Sequence, residues 1–173
     1  MIVASVVRKA GKVALKAVGA EPDEADRDLL DTLREEHDEI RSLLRDLERS
    51  ESVQERRSLV RRLKAALVPH NRAEDEVLYA ALIASYDVPS QMDGHEGSLE
   101  HDLALKALEK LDGITDATST GHMGAAKVLR ELMEHHIRDE ESKVWRDARR
   151  LFSSEERMAL NRRYLAHKTR WSP

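Results

Sequence analysis

Apolar residues recur along this chain at helical spacing, and at several places the repeat is occupied by histidine or glutamate instead of a hydrophobe. From about Asp23 to Ser50 the apolar positions are 29, 30, 33, 40, 43, 44 and 47, with His37 standing inside the stripe 33–37–40–44–47. A second helix is predicted over about 54–84, where 60, 63, 67, 70, 74, 77 and 81 alternate by three and four, and two of these core positions are His70 and Glu74. Pro69 lies inside that helix and is expected to kink it. Residues 85–97, with Pro89, Gly94 and Gly97, read as a loop. A third helix over roughly 98–112 puts His101, Ala104, Leu108 and Leu111 in line, and a fourth over about 122–150 does the same for Leu129, Leu132, His136 and Glu140. Ser153-Ser154-Glu155-Glu156 has the form of a capping box opening a last helix to about His167.

The polar intruders form an internal repeat. His70-x-x-x-Glu74 returns 66 residues later as His136-x-x-x-Glu140, and Glu36-His37-Asp38 returns after 64 as Glu100-His101-Asp102. Residues four apart share one helix face, so each His–Glu pair can aim at one spot. Helix lengths add a second constraint. At 1.5 Å per residue, His37 and His70 lie roughly 20–24 Å from their common turn, and His101 and His136 roughly 16–22 Å from theirs. In an up-and-down bundle all four fall at about one level. Buried without partners, six such side chains would each cost several kcal/mol. Bound metal removes that objection. His135 and Glu141 neighbour the motif and are lesser candidates, because phase favours His136 and Glu140. His95, His122 and His167 are expected at the surface, and Tyr79 and Trp145 are expected to pack against a terminal helix.

Composition narrows the chemistry. The chain of 173 residues has 40% hydrophobic and 36% charged residues, which suits one helical domain with extra helix, divided as 1–22, 23–151 and 152–173. A net charge of −4 with 3% aromatics argues against nucleic acid as a partner. With no cysteine, any metal must be held by nitrogen and oxygen, which suits iron, manganese or zinc. No Glu-x-x-His, His-Glu-x-x-His or Gly-x-Ser-x-Gly occurs. No apolar run reaches the roughly 20 residues of a membrane span, and Arg8, Lys9, Lys12 and Lys16 interrupt the apolar residues of 2–18 and leave no clean signal-peptide core, so a cytoplasmic protein is expected. That amphipathic segment reads as a helix docked on the bundle or a frayed arm, or alternatively as a membrane-surface or partner-binding helix, and its apolar face allows homodimerisation.

Glu36-His37-Asp38, the run from His70 to Tyr79, Glu100-His101-Asp102 and the run from His136 to Glu141 together resemble the hemerythrin-like family of HHE cation-binding domains, over roughly residues 26–150. The resemblance implies an all-α, antiparallel up-and-down four-helix bundle, here with extra N- and C-terminal helices. It implies two iron ions (Fe2+/Fe3+) joined by carboxylate and oxo or hydroxo bridges, with His37, His70, His101 and His136 as terminal ligands and Glu74 and Glu140 as bridges. Oxygen-carrying members have a further histidine where this chain has Leu105, and a His-x-x-x-x-Asp pair on the last helix where it has His136-x-x-x-Glu140. With six positions per ion, about two remain for small ligands. Two function classes stay open: a centre reacting with dioxygen, hydrogen peroxide or nitric oxide, including catalase-like peroxide decomposition, or a module sensing iron, oxygen or redox state without turnover.

Overall fold

The computed structural model describes residues 24–171, so the expectations for residues 1–22 lie outside the described residues. After a 3-10 turn, Glu24–Asp26, come five helical stretches. Helix α1 is Leu29–Arg49. Helix α2 runs as Val53–Glu74, a π-helical turn Asp75–Tyr79 and a last α-helical stretch Ala80–Ile83. Helix α3 is Val88–Asp112. Helix α4 repeats the build of α2: Thr120–Asp139, a π-helical turn Glu140–Val144, then Trp145–Leu151. Helix α5 is Ser154–Trp171.

Each start is set by a short polar side chain that satisfies an otherwise orphaned backbone N–H. Asp28 accepts from Leu30 N, Ser52 from Glu55 N, Asp87 from Ser90 N and Ser119 from His122 N. The capping box before α5 is reciprocal: Glu156 N donates to Ser153 Oγ at 3.3 Å, and Ser153 N to Glu156 Oε2 at 2.7 Å.

Residue pairs fix how the helices face one another. Glu36 meets His70 and Ser50 meets Glu55 across α1 and α2; Lys64 meets Asp112 and Arg72 meets Asp102 across α2 and α3. Glu48 meets Arg130 and Arg41 meets Glu141 across α1 and α4. In each case one helix ascends in number as its neighbour descends. Helix α5 packs mainly on α2 and also on α1.

The core is in two parts, one on each side of the polar constellation. One gathers Leu43, Leu44, Leu63, Leu67, Leu108 and Leu129. The other gathers Leu29, Leu33, Val77, Leu82, Trp145 and Tyr164, so α5 completes this end of the core. No described helix is long and apolar enough to cross a membrane.

Three local expectations need correction. Residues 88–97 are the first turns of α3, not a loop. Pro89 sits at the helix start, where it is tolerated, and the two glycines serve packing, not turning. A Cβ on Gly94 would stand 3.0 Å from Ile83 Cγ1, and one on Gly97 would stand 2.4 Å from Tyr79 Cζ. The core stripe of α2 ends on Leu82 with Ala81 half-buried, because the π turn takes up an extra residue and rotates the last helical stretch. In α4, Met133 and not Leu132 is the buried residue between Leu129 and His136.

Candidate metal centre

The six residues singled out by their spacing come together. His37, His70, Glu74 and His101 are fully buried, and Glu140 and His136 are 1% and 2% exposed. The ring centroids of His37 and His70 lie 5.1 Å apart, those of His101 and His136 4.5 Å, and those of His70 and His101 6.3 Å. Each glutamate reaches one histidine of each pair. Glu74 Oε2 is 3.4 Å from His70 Nε2 and 3.5 Å from His101 Nε2. Glu140 Oε2 is 3.3 Å from His37 Nε2 and 3.5 Å from His136 Nε2. Two triads, His37–His70–Glu74 and Glu74–His101–His136, each offer ligand atoms mutually within 4.8 Å, and they share Glu74.

A ring of carboxylates outside the histidines sets their orientation. Glu36 of α1 accepts from His70 Nδ1 of α2 at 3.0 Å, and Asp75 of α2 accepts from His101 Nδ1 of α3 at 2.8 Å. Glu100 of α3 accepts from His136 Nδ1 of α4 at 2.8 Å, and Glu141 of α4 accepts from His37 Nδ1 of α1 at 3.1 Å. Each Nδ1 faces a carboxylate outside the centre and each Nε2 faces inward, so in the neutral tautomer with its proton on Nδ1 a ring turns its Nε2 lone pair toward the centre. The ring closes on itself. It also obeys the repeat: Glu36–His70 corresponds to Glu100–His136, and Asp75–His101 to Glu141–His37.

Spacing alone misses these four carboxylates as a set. Their signal is the Glu before each of His37 and His101 and the acid after each of Glu74 and Glu140. Glu141 is therefore a support for His37, and the same carboxylate accepts from Arg41 at 2.8 Å. His135 is half-exposed, 3.4 Å from Glu100 Oε1 and turned from the centre. Asp38 and Asp102, the other members of the duplicated triplets, are exposed.

Other residues depart from expectation. Tyr79 and Trp145 share a core cluster with Leu160 and Tyr164 of α5, and beyond that expected packing they also lie on the histidines, because the π turns bring them round toward the centre. His122 is buried, capped into the start of α4 beside Arg57, Val60 and Leu111, while His95 is exposed and His167 half-buried against Glu76. Helix α5 supplies Tyr164, whose hydroxyl donates to Glu36 at 2.6 Å, and Lys168, which reaches the same carboxylate at 2.7 Å. Leu105 is half-buried beside the buried Ala104.

The electrostatics call for a cation. His101 Nε2 and His136 Nε2 stand 3.0 Å apart, two inward ring nitrogens in contact. His37 Nε2, His70 Nε2, both oxygens of Glu74 and Oε2 of Glu140 are buried without a hydrogen-bond partner. Burial, and then the neighbouring Glu140, push the Glu74 carboxyl well above its usual range. Burial acts against Glu140 as well, but His37 and His136 outweigh it and hold that carboxyl well below the usual range. Burial, then His136 and His70, push the His101 imidazolium well down, so this ring is neutral and able to ligate. A metal cation among these atoms would relieve these conflicts, and the nitrogen and oxygen donors suit iron, manganese or zinc.

Comparison with known proteins agrees with this geometry. The hemerythrin HHE cation-binding domain model matches residues 28–146. Neither the comparison with curated proteins nor that with solved structures gives a match. The family match spans more than half of the chain and all six inward-facing residues, and the chain belongs to the hemerythrin HHE cation-binding domain family.

Proposed function

We propose that this chain is a non-haem di-iron protein of the hemerythrin-like kind that binds or reacts with dioxygen, hydrogen peroxide or nitric oxide, within an antiparallel up-and-down four-helix bundle buttressed by α5. The observation that carries the reading is the shared glutamate: Glu74 belongs to both ligand triads, as a bridge between two ions must. His37 and His70 would hold one ion, His101 and His136 the other, and Glu74 and Glu140 would span both. Two irons so held supply redox change shared between two centres and Lewis acidity toward small oxygen or nitrogen ligands.

The chain's own residues do the rest. The outer carboxylates orient the four rings and raise their basicity. The leucines around the site keep the histidines from bulk water and restrict access to small molecules. Burial, then Glu140 and Glu74, push the Tyr79 phenol well above its usual value, so it stands beside the centre as a hydrogen-bond donor.

The direct test is metal content in the purified protein. About two irons per chain are expected, falling sharply in His70→Ala and Glu74→Ala with loss of thermal stability. Full retention in both variants overturns the ligand set. Adding peroxide to the iron form then separates the two function classes. Decomposition of many equivalents marks a reactive centre, and a single stoichiometric change that then stops marks a sensing module.

A further inference from the structure

His122 is the one buried histidine that the metal centre does not use. It is 3% exposed in the first turn of α4, where its backbone N–H is bonded to Ser119, and its ring has no hydrogen-bond partner among the described residues. Buried polar side chains are normally paired. Burial, then the nearby Arg56, push its imidazolium below the usual value, so at neutral pH the ring has one nitrogen that donates and one that accepts.

The ring borders a cleft of about 320 Å³ between α2, the end of α3 and the 113–119 connection. This lies at the other end of the bundle from the histidine–glutamate centre: His122 precedes His136 by 14 residues, about 21 Å along α4. The lining is divided. Val60, Leu111, Ile114 and Ala117 give an apolar floor, while Arg57 and Arg61, one turn apart on α2, stand exposed at the rim with Asp112 and Thr115. Asp112 is already met by Lys64 at 2.6 Å, and Arg57 gives one N–H to Thr115 O at 3.0 Å. Arg61 has no hydrogen bond or ion pair among the described residues. The cleft is pre-formed, because the connection is held at two carbonyls, Thr115 by Arg57 and Ala117 by Arg56 at 2.7 Å.

We propose that this cleft binds a small carboxylate with an apolar body, of the aromatic or short branched acid class: the carboxylate lies against Arg61 and Arg57 and accepts from the His122 ring, and the body covers Val60, Leu111, Ile114 and Ala117. The volume falls at the lower end of small-molecule sites, roughly 300–1,000 Å³. Guanidinium groups suit a planar carboxylate, which can accept two N–H bonds at once. A bare inorganic anion would leave the apolar floor uncovered, and a neutral hydrocarbon would leave the arginines and His122 unanswered. Nothing in this site depends on the metal.

Benzoate is the test probe, titrated into the full-length protein as purified and followed by amide shifts in two-dimensional NMR. Saturable shifts are expected at residues 57–61, 111–117 and 122. Benzamide, which has the same shape without the charge, is expected to bind at least about tenfold more weakly, the low end for charge-assisted hydrogen bonds. Arg61→Ala, at an exposed position outside the core, is expected to weaken benzoate about tenfold with an unchanged melting temperature. His122→Phe keeps a ring and removes both nitrogens, and is expected to weaken benzoate in the same direction. No saturable shift at these residues overturns the proposal, as does equal affinity for benzoate and benzamide. Unchanged benzoate affinity in Arg61→Ala overturns it as well, and this variant decides the matter if His122→Phe folds poorly. Inorganic phosphate that shifts the same residues as tightly as benzoate also overturns it, by showing that the apolar floor plays no part. Iron content measured in the same samples is expected to be equal throughout, so this proposal and the di-iron reading fail separately.

Discussion

Glu36 holds His70 from a neighbouring helix, its Oε2 3.0 Å from the imidazole Nδ1, and Tyr164 of α5 donates to that same oxygen at 2.6 Å. The terminal helix is thereby tied to one candidate ligand, through that carboxylate and directly, the Tyr164 hydroxyl lying 3.1 Å from His70 Nδ1. Glu36→Ala is expected to lower metal affinity about ten- to a hundredfold, the usual effect of removing a support of this kind. Tyr164→Phe is expected to act in the same direction and less strongly, since Lys168 still reaches Glu36. Competition with a graded series of chelators measures both, and equal affinity in all three proteins would show that α5 is only packing.

Trp145 provides an internal reporter. It is fully buried and stacked on His37, whereas the other tryptophan, Trp171, is 42% exposed. In Trp171→Phe the remaining emission is expected to be blue-shifted and strongly quenched when iron is added. Quenching that requires Trp171 would place the metal elsewhere.

The start of α3 is expected to be acid-sensitive. Asp87 caps it, accepting from Ser90 N at 3.1 Å and from Arg150 at 2.8 Å. The hydrogen bond from Arg150, then those from Ser90, draw its pKa from 3.8 down to about 2. A depressed carboxyl contributes stability in full above its unfolded value near 3.8 and loses it as pH falls toward about 2. The melting-temperature gap between the parent and Asp87→Asn should therefore be widest above pH 5 and narrow steadily below pH 4. A gap that is flat across this range would refute the assignment.

Core and centre should separate in Leu129→Ala. Leu129 is fully buried in the core away from α5, seven residues and about 10 Å along α4 from His136. The cavity is expected to cost about 2–5 kcal/mol in urea unfolding. Iron per folded chain should stay at the parent value.

Much of the centre is legible in the amino-acid sequence. His37, His70, His101 and His136 can be placed because a helix exposes its period in sequence, and a polar residue on an apolar stripe is visible as a break in that period. The outer carboxylates are harder. Glu36, Asp75, Glu100 and Glu141 sit at the edge of the stripe, where a chain with 36% charged residues places acids in any case. Which histidine each one grips depends on a neighbouring helix. The two π turns leave no periodic mark, and without them Tyr79 and Trp145 fall on the wrong face. Gly94 and Gly97 mislead for the opposite reason: glycine is read as a turn, but here its missing side chain makes room for Ile83 and Tyr79.

The closed circuit of carboxylates has a consequence for how the two halves depend on each other. Helices α1 and α2 alone can secure His70 but leave His37 without Glu141, and helices α3 and α4 alone can secure His136 but leave His101 without Asp75. Neither half is self-sufficient, and each lacks what the other provides. Because the corresponding pairs match one for one, two separate copies of one half could in principle trade those contacts across a twofold axis. The centre has the logic of a symmetric dimer carried on one polypeptide, with α5 and the Tyr79–Trp145 difference as the features that make its two sides distinct.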